Sequence, residues 1–159
     1  IFFEVNIKCC KLKNLSNLLN LIKTMGGTSA SNTKKSKEIK DFITWFEIPA
    51  IDFQQAVNFY NHIFGIQMEQ SVSETIEMAF FPSKHGIWWA IVAGSGSVPS
   101  TTCPLIYLNG GSELNNILHK VEEAGGRIIM PKTLINEDSG FFAIFIDSQG
   151  NKLALHSNN

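Results

Sequence analysis

FITWFEIPAIDFQQAVNFYNHIFG, residues 42–65, decides how the rest of this chain folds. Residues 42–48 are rich in aromatic and β-branched side chains, the composition of a half-buried strand. Pro49 has no N–H to give to a ladder and is expected to close that strand. Asp52 suits a helix N-cap, and Gln55 three residues on can reach back to it as in a capping box. Phe53, Ala56, Val57, Tyr60 and Phe64 then share one helical face. Gly65 supplies the left-handed residue that stops the helix.

The same rhythm returns downstream. Residues 67–72 and 75–81 read as strands around a tight Ser73-Glu74 turn, and residues 87–93 as a strongly apolar strand. GSGSVPSTT at 94–102 is a flexible connection. A strand at 105–109, a Gly110-Gly111 turn and an N-cap at Ser112 come next. Leu114, Ile117, Leu118 and Val121 line one face of a second helix, which Gly125-Gly126 ends. Residues 127–130 read as a short strand followed by a polar loop to Gly140. Residues 141–146 and 152–156 read as a hairpin across Asp147-Ser-Gln-Gly-Asn, where Gly150 supplies positive φ.

Thirteen residues separate cap from glycine in both halves, Asp52 to Gly65 and Ser112 to Gly125. A duplicated βαβββ unit accounts for that spacing, although two unrelated helices of ordinary length would also produce it. Neither unit can bury both faces of its sheet alone. The two are therefore expected to pair into one cup-shaped mixed sheet with the helices outside, an α+β fold. The modules span 41–94 and 103–157, and residues 1–40 form an N-terminal extension.

That extension differs from the rest. Leu12, Leu15, Leu19 and Ile22 are spaced for one face of a short helix, and a polar linker follows from Met25. The chain opens at Ile1 while Met25 begins a polar stretch, so residues 1–24 read as an upstream extension. The formal net charge of −1 hides an uneven spread. Residues 1–40 hold eight Lys against Glu4 and Glu38, while the remainder holds five basic and twelve acidic residues. An acidic body repels phosphates, which argues against nucleic acid as a partner. Cys9, Cys10 and Cys103 show no metal-ligand spacing and suit free thiols in a reducing compartment. No apolar run is long enough to span a membrane, and no signal peptide opens the chain, so the expected location is cytoplasmic.

The run E-I-P-x-x-D-F-x-x-A-V-x-F-Y-x-x-x-F-G at 47–65 resembles the opening module of the vicinal oxygen chelate superfamily, which includes glyoxalase, bleomycin resistance proteins and extradiol dioxygenases. Y-L-N at 107–109, K-V-E-E-A-G-G at 120–126 and F-F-A-I-F-I-D-S-Q-G-N at 141–151 extend the resemblance over about residues 42–157. The resemblance implies paired βαβββ modules around a central cavity, often in homodimers. It also implies a divalent metal held by His, Gln or Glu from four strands. Aligned on the Asp52-to-Tyr60 stretch, those four positions fall on Trp45, Ala90, Leu105 and Ala154. None can coordinate a cation, so this member is expected to hold no metal and no cofactor in its cup.

A strand period of two then names the cup face. It carries Trp45 and Glu47, then Trp88, Ala90 and Val92, then Tyr107 and Asn109, then Ala154 and His156. Glu47 is the candidate catalytic residue, since burial would raise its pKa towards that of a general base. It would equally serve by bonding a backbone donor or by rimming the cup in water. Trp45, Trp88, Tyr107, Asn109 and His156 are the candidate substrate-binding residues, each with an ordinary structural or solvated alternative. Because alternation sends Trp88 and Trp89 to opposite faces, one lines the cup and the other packs under a helix.

Three functions fit these residues. The first is a small-molecule binding protein of the glyoxalase or bleomycin-resistance type with a metal-free aromatic cup. The second is an enzyme, a glyoxalase-like lyase or isomerase using Glu47, or a dioxygenase-type relative with metal ligands elsewhere. The third is an interaction subunit whose cup is vestigial.

Overall fold

A computed structural model of the chain describes residues 42–84 and 86–159. The expected N-terminal helix and linker, with Cys9 and Cys10, lie outside the described residues. Within them the elements run β1 (Trp45–Ala50), α1 (Phe53–Phe64), β2 (Glu69–Val72), β3 (Ile76–Phe80), β4 (Trp88–Gly94), β5 (Tyr107–Asn109), α2 (Leu114–Glu123), β6 (Arg127–Asn136), β7 (Gly140–Ile146) and β8 (Lys152–Ser157). Strand order is β1-β4-β3-β2 in the first half and β5-β8-β7-β6 in the second. In each half the first strand lies parallel to the fourth, and the remaining pairs are antiparallel. The α+β architecture of paired βαβββ units is as the sequence implies. The sheet, however, is two four-stranded sheets, and among the described residues no ladder joins them.

Three local expectations are corrected. β1 begins at Trp45 and runs through Pro49 to Ala50, with Pro49 opposite Val92. Proline is tolerated there because β1 is an edge strand with a partner on one side only. The polar loop expected before Gly140 is mostly strand, because β6 continues through Pro131 to Asn136. Register shifts interrupt its pairing with β7, and such bulges accommodate a proline on an outer edge. The N-cap of α2 is Glu113, with no side-chain cap bond, instead of Ser112.

α1 shows how the halves are joined. The Asp52 side chain accepts from the Gln55 N–H at 2.9 Å, and Gly65 ends the helix at φ 63°. Gln55 does not complete the capping box. Gln149, from the turn between β7 and β8, accepts from the N–H groups of Ile51 and Asp52 at 3.0 and 2.8 Å and donates to Gln55 Oε1 at 2.6 Å. Four orphan N–H groups open every helix. Here a side chain of the second half satisfies the approach to the first of them.

Beneath that contact the core is shared. Phe59 and Tyr60 are buried on α1, and Phe59 stacks on Phe145 of β7 at 6.3 Å between centroids. Ile48, Ile91, Leu114, Val121 and Leu155 complete a single buried cluster. Trp89 goes under α1, against Phe64 and Phe81, while Trp88 remains half exposed on the opposite face.

The Tyr60 hydroxyl donates to Asp147 Oδ2 at 2.7 Å inside this core. Burial first, and then the adjacent Asp147 carboxylate, push the Tyr60 hydroxyl well above its ordinary 10.0. As pH rises, the unfolded chain therefore gives up this proton before the folded one. The stabilisation is intact below about pH 10 and then falls by about 1.4 kcal/mol per pH unit until the folded phenol ionises. Tyr60→Phe removes this component. The gap in urea midpoint between wild type and variant should therefore narrow above about pH 10, and a constant gap would refute the assignment.

Candidate functional site

The face of each sheet turned away from the helices carries the candidate residues. On the first sheet, register sets Trp45 opposite Trp88 and Glu47 opposite Ala90. β3 adds Met78 and Phe80, opposite Val92 and Ala90. The Trp45 ring lies 6.1 Å from that of Phe80, tilted by 56°. Its indole N–H donates to Glu47 Oε1 at 3.1 Å. Trp45 is 37% exposed and Trp88 50%, so two indoles on adjacent strands offer broad π surface to a ligand. Glu47 is itself exposed, not buried as the sequence reading of a general base supposes.

On the second sheet, Tyr107 lies opposite Ala154, and Asn109 opposite His156. Phe142 and Ile144 of β7 continue those two rows, opposite His156 and Ala154. Tyr107 is 52% exposed and its ring lies 6.4 Å from that of Phe142. His156 Nε2 donates to the Ser139 carbonyl at 2.7 Å. A carbonyl can only accept, so that nitrogen carries the proton. Asn109 Oδ1 accepts from the Gly111 N–H at 2.9 Å, which settles the amide orientation. Tyr107, Asn109 and His156 line one cavity of about 590 Å³ together with Gly111, Ser112 and Asn159. A second cleft of about 550 Å³ lies between Phe46, Phe64 and Trp89 of one half and Leu108 and Ile117 of the other, and Tyr107 and Asn109 line it as well.

The structure thus gathers Tyr107, Asn109 and His156 around one cavity, and Trp45, Glu47 and Trp88 into one patch of the first sheet. Sequence reading missed Phe80, Met78 and Phe142. Period two through residues 76–80 and 142–146 would have found them, since each alternates onto the same face. It also missed the Ser139 carbonyl, which carries no side-chain signal at all.

At the four positions that the resemblance aligns with the family's metal ligands, the side chains present do not fit a cation. Trp45 presents an N–H that already donates, Ala90 and Ala154 are buried methyl groups, and Leu105 is aliphatic and precedes β5. Hard cations need oxygen or imidazole lone pairs. Among the described residues, no three His, Cys, Asp or Glu side chains are grouped so as to hold an ion.

No family model and no curated protein matches the sequence. Solved structures do. A glyoxalase-related enzyme from Fulvimarina pelagi superposes with a TM-score of 0.57 at 14% identity, over 74% of this chain and 88% of that one. The fosfomycin resistance protein FosX from Listeria monocytogenes gives 0.57 at 18% identity, over 77% and 94%. Glyoxalase I from Zea mays gives 0.57 at 15% identity, over 72% of this chain but 43% of the maize enzyme. With paired βαβββ units of matching strand order already established, the conclusion is plain. The chain has the vicinal oxygen chelate fold. Among the described residues no helix is long and apolar enough to cross a membrane.

Proposed function

We propose that this chain is a small-molecule binding protein of the glyoxalase and bleomycin-resistance type that holds an organic ligand without the family metal. Residues 41–94 and 103–157 are its two modules, and residues 1–40 an extension outside them. Trp45 and Trp88 provide flat apolar contact, while Tyr107, Asn109 and His156 orient the ligand. The observation that carries this reading is the replacement of all four would-be ligands by indole, methyl and isobutyl groups beside exposed aromatic rings. Apolar walls with a few polar groups are what small organic ligands require. The acidic body disfavours nucleic acid, and the protein acts as a cytoplasmic homodimer. Metal analysis and light scattering on one preparation test these points together. Substoichiometric metal and a dimer mass are expected, whereas a cation bound one-to-one overturns the metal-free reading and a monomer mass overturns the dimer.

A second reading is a lyase or isomerase working through Glu47. Its support is that the Glu47 carboxylate is exposed and, among the described residues, bonded through Oε1 alone. Proton transfer by Glu47 predicts that Glu47→Gln abolishes turnover of any substrate found; unchanged turnover rules it out.

A further inference from the structure

The cavity of the second sheet has a defined hydrogen-bonding polarity. The Ser139 carbonyl places a proton on His156 Nε2, so in the neutral imidazole Nδ1 bears the lone pair. Among the described residues Nδ1 has no partner. It is not sealed off either, because Ser148 Oγ, in the turn between β7 and β8, is the buried side-chain polar atom left unpaired among the described residues. Asn109 spends its oxygen on the Gly111 N–H, which leaves the two N–H donors of Nδ2 free at an exposed side chain. Asn109 and His156 are direct partners across the parallel β5–β8 pair, so their side chains leave the same face about 5 Å apart. One acceptor and one donor therefore stand side by side above a shared cavity, with the half-exposed ring of Tyr107 one row along.

We infer that this pair reads the edge of a planar amide, a group whose N–H and C=O are likewise adjacent. The amide N–H donates to His156 Nδ1, its carbonyl accepts from Asn109 Nδ2, and an attached flat ring stacks on Tyr107. Primary carboxamides, lactams and cyclic imides share that edge. Carboxylates lack its donor, and ketones lack it as well. This assignment rests on the small-molecule binding reading above and names the class of ligand that would satisfy it.

Benzamide is the probe, added to the full chain and followed by NMR. In the free protein, long-range proton–nitrogen spectra should show His156 with Nδ1 unprotonated. Benzamide should then shift the His156 Nδ1 and Asn109 side-chain signals in a saturable way. N,N-dimethylbenzamide, which has no donor, should bind about tenfold more weakly, as should benzamide to Asn109→Asp, where the donor becomes an acceptor. Asn109→Asp keeps an oxygen for the Gly111 N–H, so its fold should survive. A protonated Nδ1, or equal affinity for the two amides, overturns the inference. Shifts at the Trp45 and Trp88 indoles without any at Asn109 and His156 overturn the amide assignment while sparing the binding reading. Silence at both patches, for benzamide and for a panel of planar organic compounds, overturns both.

Discussion

Asp147→Ala should lower stability by about 3–5 kcal/mol, read as a shift of the urea midpoint. Asp147 is only 3% exposed, and among the described residues no cation pairs with it. Hydrogen bonds hold its carboxyl group in place. Oδ1 accepts from the N–H groups of Gln149 and Asn151 at 2.9 and 2.8 Å, and Oδ2 accepts from Tyr60 Oη at 2.7 Å and Asn151 Nδ2 at 2.9 Å. Removing the carboxylate strands four donors, and each stranded buried donor costs about 1–3 kcal/mol before relaxation. The damage spreads because the same turn fastens the halves together. Asn151 Nδ2 also donates to the Pro49 carbonyl, and Gln149 caps the approach to α1. Tyr60→Phe alone removes one of the two bonds that Oδ2 accepts, leaves the bond from Asn151 Nδ2, and should cost about 1–2 kcal/mol. In the double variant the two losses should fall well short of their sum, since they remove one shared bond. A loss below about 1 kcal/mol for Asp147→Ala would show that water replaces the carboxylate freely and that the turn is no latch.

The latch marks the limit of what the chain discloses about its fold. Local signals were sufficient for α1, whose cap at Asp52, apolar face and left-handed Gly65 all stand where periodicity sets them. They were sufficient for the repeated succession of strand, helix and further strands, because each half carries its own alternation and turn glycines. They failed where the partner lies far along the chain. Gln55 looked like the second half of a capping box, but Gln149, 94 residues later, fills that role. Pro49 looked like a terminator, since nothing in its neighbourhood announces that β1 is an edge. β6 looked short because Pro131, Lys132 and Thr133 read as loop, and only pairing with β7 keeps those residues extended.

The candidate site divides along the same line. Alternation sorted Trp88 from Trp89 and, counted from the positions that the resemblance implies, grouped Tyr107 and Asn109 with His156. Whether Glu47 is buried depends on how far the two sheets curl around it, which no local pattern encodes. The structure leaves it exposed beneath the Trp45 indole N–H. The tautomer of His156 is set by a backbone carbonyl from the loop before β7, and any residue type at 139 would present the same atom.

That loop explains why Gly140→Ala should be among the most damaging single substitutions in the described fold. Gly140 is buried at φ +68°, and an added Cβ would overlap the Ser157 carbonyl oxygen and come within 2.6 Å of Asn158 Cα. Backbone cannot rotate aside as a side chain can, so β7 and the end of β8 must separate. Gly65 is the control, since it has nearly the same φ of +63° with open space around the missing Cβ. Gly65→Ala should cost about 1–2 kcal/mol, the left-handed penalty alone. Gly140→Ala adds overpacking and should cost about 3 kcal/mol or more in total. It should also loosen the Ser139 carbonyl from His156, so that long-range proton–nitrogen spectra report a mixture of tautomers where wild type shows one. If the two glycine variants lose equal stability and His156 keeps a single tautomer, then the β7–β8 end yields without strain and the polarity of the cavity does not depend on it.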